Sequence, residues 1–432
     1  MPKIKSIKAR EILSSGGVPS LEVKVELSSC ISEIASVPFG ASAGSHEAFV
    51  LFDNEPKRFL GKGMLKAVSN VNKIIAPKLI GKNPFNQEEI DSLMIELDGS
   101  ENKKNLGANA ILGVSLAVAR AAAKEKKIPF YKYIREAFNL KINNYILPNP
   151  MMVVIEGGKH AGNSTDLQEY LISPIGAKSI KENIRYGIEV FLNLKKVLKE
   201  KGYNSNVGNE GAYAPAGIKT NEEPLSLMRQ AIEKSGYTTK EIGISLDPAV
   251  SEIFENGKYN LKKEGKSLTS TEMISFFENW IDNYPIITLE DPLHEDDWEN
   301  WTELNKRLGK KTAIIGDDLT VTNIKRLQKA IELKAINAVL IKLNQIGTLT
   351  ETVKCCMLAK KNKMMTVISH RGGGETNDTS MIDLGVAVNS GFVKVGPSRG
   401  ERVCKYNRLM EIEDEIGNKA KIAGKNFRNV YS

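Results

Sequence analysis

A chain of 432 residues, 41% hydrophobic and 26% charged, can bury a large core and is neither disordered nor fibrous in composition. Its 60 basic residues outnumber 52 acidic ones for a net charge of +8, but the lysines are scattered over helix faces (195–201, 360–363), which argues against a nucleic-acid footprint. Cys30, Cys355, Cys356 and Cys404 lack zinc-finger spacing, Met1–Lys5 lacks the apolar core of a signal peptide, and the longest apolar stretch is broken by Arg120; a reduced, cytoplasmic, membrane-free setting is expected.

Residues 3–37 alternate apolar and polar side chains around Gly16-Gly17, the pattern of an antiparallel sheet. A loop of small residues, Gly40-Ala41-Ser42-Ala43-Gly44, follows, and residues 64–138 carry a helical period that includes the Ala-rich run from Leu106 to Lys124. Strands followed by helices make an α+β cap, placed at residues 1–140. Leu147-Pro148-Asn149-Pro150 marks the change of regime, since prolines restrict themselves and their predecessors. From Met151-Met152-Val153-Val154-Ile155 onward strands and helices alternate, so residues 141–432 are expected to form an α/β barrel.

The barrel expectation rests on six short runs, apolar and then ending on a polar or charged residue: Ile242–Asp247, Ile286–Glu290, Ala313–Asp317, Val339–Lys342, Thr366–His370 and Phe392–Lys394. Their endpoints are 24 to 43 residues apart, room for one strand and one helix each. Continuous apolar runs suit parallel strands buried on both faces, and active sites of such barrels sit where the strands end. Three carboxylates (Asp247, Glu290, Asp317), two lysines (Lys342, Lys394) and His370 would then share one mouth.

A single acid at a strand end is usually a helix cap or a surface charge, and Asp318 is read as the N-cap of the next helix. Three successive acids would repel one another unless a cation held them, and oxygen ligands suit Mg²⁺ rather than zinc. Lys342, set between Ile341 and Leu343, is either a general base with a tuned pKa or the ion-pair partner of a barrel acid. His370-Arg371-Gly372-Gly373-Gly374 reads as an anion grip of guanidinium and open backbone. Two further loops set acids or histidine among glycines: Gly157–Asn163, followed by Gln168-Glu169, and Gly208-Asn209-Glu210-Gly211-Ala212.

Several ordered motifs resemble the enolase family over nearly the whole chain. They are the loop Gly40–Gly44, Leu106–Ser115, Gly158–Gly162, Leu167–Glu169, Asn206–Gly211, Glu290–Pro292, Gly316–Asn323, Lys342–Gly347 and Ser369–Arg371. The resemblance implies an α+β cap on an eight-stranded α/β (TIM-like) barrel. It implies a hydro-lyase of glycolysis and gluconeogenesis that reversibly dehydrates 2-phosphoglycerate, a small phosphorylated three-carbon acid, to phosphoenolpyruvate. It also implies two Mg²⁺ per site, the second arriving with substrate, and a homodimer or larger homo-oligomer. Residue by residue, Asp247, Glu290 and Asp317 match ligands of the first magnesium, and Ser42 a lid ligand of the second. Lys342 matches the base at C2, Glu210 the acid at the C3 hydroxyl, Glu169 its partner carboxylate, and His160 a residue of a closing loop. Arg371 matches a phosphate-binding group, and His370 and Lys394 match substrate contacts.

The chain departs from the family pattern at several points. Glu156 stands where asparagine is usual, Asn209 and Ala212 replace Asp and Gly around Glu210, Phe39 and Phe52 replace serine and arginine, and Gly372-Gly373-Gly374 replaces Ser-Gly after Arg371. These departures leave open two alternatives: a diverged superfamily enzyme acting on another carboxylic acid, and a non-catalytic paralogue acting as a binding protein.

Overall fold

The computed structural model describes residues 1–40 and 44–430, so the lid position Ser42 lies outside the described residues. In the cap, β1 (Ile4–Leu13), β2 (Pro19–Leu27) and β3 (Ser32–Val37) form an antiparallel meander. Alternation places Leu21, Val23, Val25 and Leu27 on one fully buried face, where each contributes about 1.5–3 kcal/mol by leaving water. The Ala-rich helix Ala108–Glu125 covers that face. Small residues let it approach closely: a Cβ at Gly113 would lie 2.7 Å from the Val23 side chain.

Eight strands then close a barrel in chain order. They are β4 (Asn149–Glu156), β5 (Glu169–Pro174), β6 (Ile242–Asp247), β7 (Ile286–Glu290), β8 (Ala313–Gly316), β9 (Ala338–Ile341), β10 (Met365–Ser369) and β11 (Phe392–Val395). Side chains alternate between two cores. Met151, Val153, Leu171, Ala338, Leu340, Met365, Val367 and Phe392 fill the lumen, whose floor is closed by Phe427 and Val430. Val339, Ile341, Ile368 and Val393 point outward among the helices.

One feature was not legible in the sequence and one detail differs from its reading. The strand β5, outside the six runs read as parallel strands, is antiparallel to both β4 and β6. Asp318 caps no helix: the helix Ile324–Leu333 is capped by Asn323, whose side chain accepts from the N–H groups of Lys325 and Arg326. Asp318 lies instead in the turn leaving β8.

The cap hangs over the C-terminal mouth of the barrel. Phe39–Gly40, just before the lid, pairs antiparallel with Gly373–Gly374. The β1–β2 turn is fastened to the same segment, with Ser15 Oγ donating to Gly373 O at 3.0 Å and Glu375 N donating to Ser15 Oγ at 3.1 Å. No helix among the described residues is long and apolar enough to cross a membrane.

Candidate active site

Strand parity delivers the polar residues to the mouth. Leu340 faces the lumen, so Lys342, two residues on, continues that face just beyond the strand end; Ile315 does the same for Asp317, and Phe392 for Lys394 within β11 itself. On antiparallel β5 the lumen residue Leu171 is preceded by Glu169, so a carboxylate at the start of this strand joins carboxylates at the ends of its neighbours. A register irregularity between Val153 and Ile155 inverts the alternation in β4: Val154 and Ile155 both pack outward, and Glu156 pairs across from Glu169. Glu169 in turn pairs with Asp247. Glu156, Glu169 and Asp247 therefore form a row of carboxylates across three strands.

A buried ammonium group, that of Lys394, and a partly buried one, that of Lys342, sit among the acids. Lys394 Nζ lies 2.5 Å from Asp247, 2.8 Å from Glu290 and 2.9 Å from Glu169. Burial opposes its charge, but those three carboxylates hold its pKa well above the ordinary lysine value. Lys342 pairs with Asp317 Oδ2, and Gln345 Nε2 donates to Asp317 Oδ1 at 2.7 Å. For Lys342 too, burial is outweighed by the Asp317 charge and the pKa rises.

The carboxylates could hold a cation. Ligand oxygens of Asp291, Asp317 and Asp318 lie within 4.8 Å of one another, a tighter grouping than the expected Asp247, Glu290 and Asp317 set, which Lys394 interleaves. Burial first, and then neighbouring carboxylates, push Glu290, Asp291 and Asp318 well above the usual range. A divalent cation would relieve that repulsion, and an all-oxygen donor set fits Mg²⁺.

Across the mouth stands the second group. His370 Nε2 is 3.0 Å from Glu210 Oε2, and His160 Nδ1 is 3.3 Å from Glu169 and 3.5 Å from Glu210. Burial opposes the Glu210 charge, but His370, His160 and Arg402 hold its carboxyl well below the ordinary value. For His160, burial opposes the charged ring, yet Glu169, Glu210 and Glu156 together raise its pKa to about 9.

A folded pKa above the free value of 6.5 means stabilisation fully present below pH 6.5 and lost as pH rises through about 9. The stability advantage of the wild type over His160→Gln, read by urea unfolding, is thus expected to shrink by roughly 1–3 kcal/mol between pH 6.5 and 9.5. A pH-independent difference would remove the imidazolium from the argument.

Arg371 is almost wholly buried, and its guanidinium is gripped by Glu47 of the cap at 3.0–3.2 Å. The glycine after it is required by close approach: a Cβ at Gly372 would meet Glu210 Oε1 at 2.4 Å and His160 Cε1 at 2.5 Å. His160, Glu169, Glu210, Asp247, Asp317, Lys342, His370, Arg371 and Lys394 line one pocket at the mouth, and Glu290 lies directly behind through Lys394.

Sequence reasoning passed over Glu47, Gln345, Asp291 and Asp318 as site residues and recorded Glu156 only as a departure from pattern. Gln345 and Asp291 were within reach, lying three residues after Lys342 and one after Glu290. Glu47 gave no local signal, because its partner is 324 positions away.

Comparison with known families agrees with this architecture. Residues 4–134 match the family described as Enolase, N-terminal domain, and residues 144–431 match Enolase, C-terminal TIM barrel domain.

Proposed function

The chain belongs to the enolase superfamily, and from that membership we propose that it is a hydro-lyase interconverting 2-phosphoglycerate and phosphoenolpyruvate with magnesium. One observation carries the reading. Lys342 follows β9 and Glu169 opens β5, four strands apart in a closed ring of eight, and the His160 ring lies 3.3 Å from Glu169 and 3.5 Å from Glu210, so an amine and the Glu169–Glu210 carboxyl pair face one pocket from opposite walls. Removing a proton from one carbon and a hydroxyl from the next needs a base and an acid on opposite sides of the substrate.

Arg371 and the glycines after it would grip the phosphate, and Lys394 and His370 would contact the rest of the anion. Lys342 takes the C2 proton. It rests as an ammonium beside Asp317; were that carboxylate shared with a cation, burial would favour the free amine. Glu210, ionised in the resting site, first takes up a proton and then gives it to the C3 hydroxyl; the C3–O bond breaks, a C2–C3 double bond forms and water leaves. Glu156, Glu169 and Glu210 are neighbouring carboxyl groups, and an arriving anion raises the proton affinity of the nearest. Magnesium held by Asp247, Glu290 and Asp317 would supply positive charge to absorb the negative charge that develops when the C2 proton leaves, an established pattern of this superfamily.

The test follows the ultraviolet absorbance of phosphoenolpyruvate formed from 2-phosphoglycerate. Chelation of divalent ions is expected to lower the rate by more than about 10²-fold, and Mg²⁺ to restore it. A second reading, a superfamily enzyme acting on another carboxylic acid, is favoured by Gly372: Glu210 and His160 occupy the space in which a side-chain hydroxyl would help Arg371 hold a phosphate. Absence of turnover with the protein folded and metal bound would leave this reading and that of a non-catalytic paralogue.

A further inference from the structure

Glu156 is fully buried beside the pocket but does not line it. Its oxygens point at the turn that carries Glu210. Oε1 accepts from the backbone N–H of Glu210 at 3.0 Å and of Ala212 at 2.9 Å, and Oε2 lies 3.2 Å from the same Glu210 N–H. Gly208 makes room for the carboxylate, since a Cβ there would lie 2.5 Å from Oε2.

The backbone of Glu156 joins the same block. Its N–H donates to Tyr213 O at 2.8 Å, and its carbonyl accepts from Ser164 Oγ at 2.7 Å. Asn209 N donates to His160 O at 3.2 Å, so the His160 loop and the Glu210 turn meet around this one residue.

We infer that Glu156 is the positioning residue of the catalytic acid: its carboxylate clamps the turn 208–212 through two backbone N–H groups and so sets where the Glu210 side chain stands. A carboxyl group suits the task because its two oxygens can accept both converging N–H groups from one buried position. Asparagine, usual at this position in the family, is one methylene shorter and offers one acceptor oxygen, so it cannot make the same clamp from the same backbone. Burial and the Glu210 charge, opposed by His160 and the Ala212 N–H, lift this carboxyl to about 8, and the clamp survives protonation because each N–H still finds an oxygen.

The kinetic half of the test rests on the function proposed above; the structural half does not. In the full-length Mg²⁺-loaded protein, Glu156→Ala is expected to speed amide hydrogen exchange at Glu210 and Ala212 by at least about tenfold, with Glu156→Gln in between because it keeps one acceptor. With 2-phosphoglycerate, Glu156→Ala should lower kcat for water loss by about 10²-fold, leaving KM and solvent exchange of the C2 hydrogen within about threefold. Unchanged amide exchange overturns the inference whatever the substrate is. Equal loss of elimination and C2 exchange, in a variant that melts like the wild type, overturns it as well. If the alanine variant does not fold, the glutamine variant decides by the same split. A wild type inert toward 2-phosphoglycerate defeats the proposed reaction, and the amide measurement then decides the clamp alone.

Discussion

Lys342→Ala is expected to reduce exchange of the C2 hydrogen of 2-phosphoglycerate by at least about 10³-fold, while divalent-cation binding persists. Among the described residues the side chain has one ionic partner, Asp317, and that carboxylate keeps its orientation in the variant because Gln345 still donates to its other oxygen at 2.7 Å. The backbone survives too, since Lys342 N–H donates to Thr322 Oγ1 at 2.9 Å whatever side chain it carries. Removing an ammonium from beside Asp317 also removes a competitor for any cation. NMR in D₂O measures the exchange and calorimetry the metal affinity. Exchange that persists at the wild-type rate would transfer the role of base to another group.

Glu210→Gln should separate the two halves of the reaction. The amide has the size of the carboxyl and retains a partner for His370 Nε2, 3.0 Å from the native Oε2, but it has no acidic proton for a departing hydroxyl. Formation of phosphoenolpyruvate is expected to fall about 10²–10⁴-fold and C2 exchange by less than tenfold, because Lys342 stands across the mouth and does not depend on this proton. Rapid-quench measurement of product beside NMR measurement of exchange checks it. Equal losses would mean that one residue serves both steps, or that Glu210 only organises the pocket.

Both variants act on residues the sequence already singled out, and the reason lies in what periodicity reports. A short apolar run that stops on a polar or charged residue states where the backbone is buried and where it meets water. Six such runs at strand–helix spacing state a barrel, and with it the mouth on which Asp247, Glu290, Asp317, Lys342, His370 and Lys394 meet. The cap was legible in the same way, from the alternation around Leu21–Leu27 and the Ala-rich helix.

Direction, register and partner are another matter. Nothing local in Glu169–Pro174 reveals that this strand runs against its neighbours, yet that reversal brings Glu169 to the mouth rather than the floor. The irregularity in β4 turns Glu156 from an outward position into the carboxylate row, and only the pairing with β5 shows it. Glu47 reaches Arg371 from the cap across the domain junction, and Lys394 takes three carboxylates from three different strands. Read alone, the residues establish which elements form and which side chains end them. Which charges face each other, and therefore which proton each group holds, depends on through-space distances of a few ångströms between segments remote in the chain, and those exist only once the barrel has closed.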